Sequence, residues 1–176
     1  MKKYCLLIIG ILFYVQGMAQ DDVISKYFSE YERRDDFTTI IITSRMFELI
    51  AQIPESEKEE DVMNVIRKLN GLKILTSSEY PKRGELSKKA TKIIEDHGFE
   101  ELMIIKEGEE EIKFMIDEKD GHIREFVMLI AEDENGDFFL MSMTGNLDLK
   151  DISRLSKTLD IDGFDQLEKV DNNNNK

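Results

Sequence analysis

The stretch Glu132-Asp133-Glu134-Asn135-Gly136-Asp137 puts four carboxylates and one amide into six positions, the oxygen-rich composition of a site for a hard cation. A helix-loop-helix calcium loop needs oxygen ligands at its first, third and fifth positions, Gly at the sixth and a bidentate Glu at the twelfth. Counting from Asp133, Asn135 and Asp137 fit, but Phe138 takes the place of the Gly and Thr144 that of the Glu. The stretch therefore reads as the wet tip of a type I′ hairpin turned by Asn135-Gly136. A second acidic group, Asp160, Asp162 and Asp165, offers weak divalent-cation ligands, yet its Gly163 comes two positions early for such a loop. Gly163 there reads as a helix cap, with Phe164 and Leu167 tucked back onto the domain.

The remaining chemistry-bearing residues are sparse. His97 and His122 fall in no HxH or HExxH pattern, and a zinc site needs three or four ligands. Met103, Met115, Met128, Met141 and Met143 lie on predicted strands; thioethers bind copper(I), but Met at such positions is more simply core filler. There is no GxSxG elbow, no SxxK, no GxxxxGK[ST] and no GxGxxG, so neither a serine nucleophile nor a phosphate loop is indicated and no cofactor is expected. Thirty-seven acidic residues leave room for a pair of catalytic carboxylates, but the chain has no Trp for a sugar-binding platform. Lys82, Arg83, Lys88, Lys89 and Lys92 bring five positive charges together against Glu85. Lys88, Lys89 and Lys92 share one helix face, a candidate partner-binding surface.

Residues 1–19 read as a secretory signal peptide: Lys2 and Lys3 precede an apolar run, Cys5 to Val15, and Gly17-Met18-Ala19 forms a small-x-small cleavage site. The run is shorter than the roughly 20 residues that span a bilayer, and no second one occurs downstream, so no transmembrane span is expected after cleavage. Cleavage after Ala19 removes Cys5, the one cysteine, and with it any disulfide or thiolate chemistry. It also removes Lys2 and Lys3, which moves the formal charge from −13 to −15. Such a surface repels nucleic acid and anionic lipid.

The pattern beyond residue 20 predicts one α+β domain over 20–170 and a polar, disordered tail over 171–176. Val23, Ile24, Tyr27, Phe28 and Tyr31 fall on one helix face. FTTIIIT (37–43) is β-branched and is expected as a buried strand feeding the helix RMFELIAQI. Ser56-x-x-Glu59 is a capping box for a helix carrying Val62, Val65, Ile66 and Leu69, which Asn70-Gly71 should end, and LKILTS starts a second strand. A helix over about 85–96 buries Leu86, Ala90, Ile93 and Ile94, and Gly98 is its left-handed cap. LMIIK, IKFMI, HIREFVMLIAE and FFLMSM then form a four-stranded antiparallel meander, with Asp120-Gly121 a type I′ turn. Asp148 caps a last helix carrying Leu149, Ile152, Leu155 and Leu159. The expected sheet is mixed, with about six strands and helices packed on it.

FTTIIITSRMFELIA, NGLKILT and FVMLIAEDENGDFFLMSMTGNLDLKDISRLSKTLDIDGFDQLEK together resemble the bacterial family described as domain of unknown function 4252. The resemblance implies a small exported protein made of this one domain, and no functional residues come with it; the expected destination is the periplasm or the outside of a Gram-negative bacterium. The residues themselves admit two readings. One is a non-enzymatic exported domain that binds an envelope protein or a small apolar ligand. The other is a carboxylate-based hydrolase or isomerase, which needs two acidic groups converging in a cleft.

Overall fold

The computed structural model describes residues 22–52, 60–108, 110–131 and 137–159. In chain order they form α1 (Val23–Tyr27), β1 (Thr38–Thr43), α2 (Ser44–Ile50), α3 (Glu60–Ile66), β2 (Leu69–Ser77), α4 (Arg83–Asp96), β3 (Glu100–Glu107), β4 (Glu110–Lys119), β5 (His122–Ala131), β6 (Phe138–Leu147) and α5 (Leu149–Leu159). The strands make one sheet in the order β1-β2-β6-β5-β4-β3. Every neighbouring pair is antiparallel, so the sheet is not mixed as its alternation with helices suggested. The meander β3 to β6 forms as expected, and β2 closes against its last strand.

Both faces of this sheet are covered. On one, Val23 and Ile24 of α1, Phe28 just after it, and Leu86, Ala90 and Ile94 of α4 pack on Leu75, Met115, Val127, Leu129 and Leu140. On the other, Phe47 of α2, Val65 of α3 and Ile152 of α5 pack on Phe114, Phe126, Met128, Met141 and Met143. A strand between two helical layers has no solvent face, which is why β5 is apolar at consecutive positions. Of the strand methionines, Met115 belongs to the first core and Met128, Met141 and Met143 to the second, with Met103 packed against it.

Turn chemistry matches the residues closely. Asp120 (φ 55) and Gly121 (φ 80) both take the left-handed conformation that a type I′ turn requires, joining Lys119 to His122. Gly98 (φ 83) ends α4 as expected, and His97 before it bonds through Nδ1 to the Ile93 carbonyl at 2.7 Å while its ring lies 4.5 Å from that of Tyr27. β5 and β6 end with Ala131 opposite Phe138, so six residues link them. The Asn135-Gly136 turn, the Ser56-Glu59 box and the candidate ligands Asp160, Asp162 and Asp165 lie outside the described residues.

Two segments depart from expectation. Asn70-Gly71 does not end a helix: α3 stops at Ile66, and β2 already runs through Leu69, Asn70 and Gly71, with a bulge where it meets β6. The sequence signal is a bulge glycine rather than a cap, because a Cβ at Gly71 would lie 3.1 Å from Thr144 Oγ1. FTTIIIT is a strand but not a buried one. β1 is the outermost strand, with Ile40 45% and Ile41 52% exposed. A β-branched run marks a strand without saying whether a neighbour lies on each side.

Another close backbone approach is at Gly145, where a Cβ would stand 2.6 Å from the Lys68 carbonyl oxygen. That carbonyl accepts from Asn146 N at 3.1 Å, which holds the end of β6 against the α3–β2 connection. Gly145→Ala should therefore cost about 1–3 kcal/mol by overpacking, read as a lowered urea midpoint. A midpoint equal to that of the parent would show that the two backbones separate freely.

Candidate functional site

The face of the sheet under α1 carries Val127, Leu129, Leu140 and Leu75 at one end and Glu125, Ser142, Thr144, Gly71 and Lys73 at the other. Register accounts for this: Thr144 is opposite both Glu125 and Gly71, and Ser142 is opposite both Val127 and Lys73. The polar row thus lies side by side across β5, β6 and β2, and the N-terminus of α1 comes down on it.

Glu125 is 3% exposed. Its Oε1 accepts from the backbone N–H of Val23, the first residue of α1, at 2.8 Å, and from the Ser142 hydroxyl. Burial pushes the carboxyl up to about 7; the Ser142 and Val23 donors pull the other way, and the charges of Asp22 and Asp117 add to the rise. Asp22 is the N-cap of α1 and accepts from Ser25 N at 2.9 Å and Ser25 Oγ at 2.8 Å. Lys73 donates to the Ser25 hydroxyl and to Glu32 Oε1 at 3.0 Å, and stands 3.6 Å from Asp22 Oδ2. A helix N-terminus leaves N–H groups unpaired; here Asp22 takes one and Glu125 another.

Beside this cluster is a cavity of about 270 Å³ walled by Asp22, Ile41, Gly71, Lys73, Ser142 and Thr144 among others. On the opposite face a cleft of about 360 Å³ lies between α2, the end of α3 and β2, and the two share Ser44 and Asn70. Glu125 is not on the wall of the first cavity; Ser142 is. Both donors to Glu125 converge on a single oxygen, and the oxygens of Asp22 face Ser25 and Lys73. A carboxyl titrating near neutrality suits general acid or base work, but this one faces the end of a helix and holds it down.

Sequence reasoning missed Glu125. The signal was there: in HIREFVMLIA, Glu125 is in phase with Val127 and Leu129, an acidic residue on the inward face of a doubly covered strand. Lys73 stands in the same relation to Leu75.

The basic cluster is on α4 and the loop before it, surrounded by local partners. Lys82 pairs with Glu85 at 3.3 Å, Lys89 with Glu30 at 3.6 Å and Lys92 with Asp96 at 2.9 Å. Arg83 donates to the Tyr80 carbonyl at 2.9 Å, and Lys88 is exposed. Among the described residues there is no group of three or more His, Cys, Asp or Glu placed to hold a metal, and no helix long and apolar enough to cross a membrane.

Among the described residues, the large hydrophobic side chain with the greatest exposure is on β1. Ile40 (45%) and Ile41 (52%) are exposed on β1, and Met46 (50%) and Leu49 (46%) on α2, which follows it in the chain; no other described strand covers the outer edge of β1. Ile40 and Ile41 point to opposite faces, as successive strand residues must. β1 has no charge, no Pro and no bulge, the devices by which edge strands ordinarily avoid pairing with another chain. The opposite edge, β3, reads EELMIIKE and is charged at both ends.

No curated protein and no solved structure matches this chain. One family model does, over residues 31–155, which takes in β1 to β6 and the start of α5. The chain belongs to that family, described as domain of unknown function (DUF4252).

Proposed function

We propose that this protein is an exported, non-enzymatic binding domain that takes a protein partner by adding a strand to the outer edge of β1. The observation that carries the reading is that edge: a six-residue strand, open on its outer side among the described residues and flanked by exposed Ile on both faces. Main-chain hydrogen bonds supply affinity in such docking, and alternate side chains supply selection. Export rests on the leader-like residues 1–19. The non-enzymatic reading is supported by the engagement of Glu125 with α1 and by a sequence without nucleophile or phosphate motifs.

Capture from an envelope extract tests this. Ile41→Lys puts a charge on the edge at a half-exposed position opposite Lys73, so it should lower thermal stability slightly while reducing capture at least tenfold. Reversing Lys88, Lys89 and Lys92 to Glu in a second variant separates the edge from the basic helix face. Loss of capture in the α4 variant but not in Ile41→Lys would move the site to α4.

A further inference from the structure

The residues of β1 also point to the partner, an identification that rests on β1 being a docking edge. Thr39-Ile40-Ile41-Ile42-Thr43 is the same sequence in both directions. Two antiparallel copies centred on Ile41 therefore set Thr39 against Thr43, Ile40 against Ile42 and Ile41 against itself, like facing like at every position. A twofold interface requires such self-complementarity. We infer that β1 pairs antiparallel with β1 of a second copy of this chain across a dyad at Ile41, joining the two six-stranded sheets.

Exposure favours a continuing strand over a partner resting on one face, and charge favours contact between copies at this strip. Ile40 and Ile41 are both exposed yet point to opposite faces, so a partner resting on one face would cover only one of them; a continuing strand covers both. A chain with formal charge −13 repels its own copies across most of its surface, and β1 is a strip with no charge at all. The pairing is closed: it uses both β1 edges, and the remaining edges are the charged β3 strands.

A dyad at Ile41 makes a positional demand that cysteine cross-linking reads directly. In a Cys5→Ser background, so that the new thiol is the sole one, Ile41→Cys places two Cys on the dyad. Directly opposite residues in an antiparallel pair have Cα atoms about 4.5–5.5 Å apart, within disulfide range. Thr38→Cys places its thiols about six strand positions apart, roughly 20 Å. Under mild oxidation the full chain from an exporting host should give a covalent dimer with Ile41→Cys at a rate at least tenfold above Thr38→Cys. Sedimentation of the chain without cysteine should show concentration-dependent doubling of mass that Ile41→Lys removes. A monomer at every concentration, or equal cross-linking at both positions, overturns the self-pairing. If that monomer still captures another protein through an edge that Ile41→Lys disables, strand docking stands and only its occupant is wrong; if Ile41→Lys changes neither mass nor capture, both readings fall.

Discussion

Glu125→Gln should make the protein more stable at pH 8 by about 3 kcal/mol and at pH 5 by less than about 1 kcal/mol. The carboxyl is raised to about 7 in the folded chain, against an ordinary value of 4.5. The native state consequently holds this proton more tightly than the unfolded state between those two values. Stability from the protonated form is complete below about 4.5, falls as pH rises and levels off above about 7. Gln keeps an oxygen for Val23 N–H and the Ser142 hydroxyl but never ionises, so the falling limb disappears. Carboxylates held low, such as Asp36 beside Arg34 and Glu111 beside Lys106, lose their contribution as pH drops through lower values and do not overlap this window. For a chain of this size the effect at pH 8 is roughly 6–12 °C in Tm. A Tm difference that stays flat from pH 5 to 8 would mean that Glu125 is already ionised and paired at pH 5.

Asp151→Ala should cost about 3 kcal/mol, because one buried carboxylate serves three elements. Asp151 Oδ2 accepts from Lys68 Nζ at 2.6 Å and from Asp148 N at 3.0 Å, while Asp151 N donates to Asp148 Oδ1 at 2.8 Å. The two aspartates thus cap α5 reciprocally, and Lys68 ties that cap to the turn between α3 and β2. The bond to Asp151 raises the Lys68 ammonium above its usual range. Lys68 is 39% exposed at its side chain, so water screens the ion pair and the cap supplies much of the loss. Asp151→Asn keeps an acceptor and should recover about half, measured as urea midpoints. If Asn and Ala cost the same, charge rather than capping dominates.

Much of this architecture is legible in the residues, and the misses have physical causes. Asp120-Gly121 specified its turn because few residues accept two successive positive φ values. Asp148 could be read as a cap because the helix behind it is amphipathic, and Asp151 stands at the reciprocal i, i+3 position, but the tie from Asp151 to Lys68 joins residues 83 apart and is not visible in spacing. Asn70-Gly71 misled because a glycine that ends a helix and one that relieves a bulge look alike. The Ile run of β1 marked a strand, but its place at the sheet edge depends on β2 pairing with β6 some seventy residues later. The same long-range pairing brings Lys73, Ser142 and Glu125 together. The acidic clusters drew attention by composition; the polar cluster that the fold assembles comes from single residues scattered over β2, β5, β6 and α1.

If β1 is the surface that meets another chain, a photo-reactive benzophenone side chain installed at Ile41 will report it without the partner being chosen in advance. In the protein expressed and exported in cells, illumination should give one discrete adduct, and the same group at Lys106 on the opposite sheet edge should give none. Adducts from Lys106 with none from Ile41 would contradict a role for β1 as the docking edge.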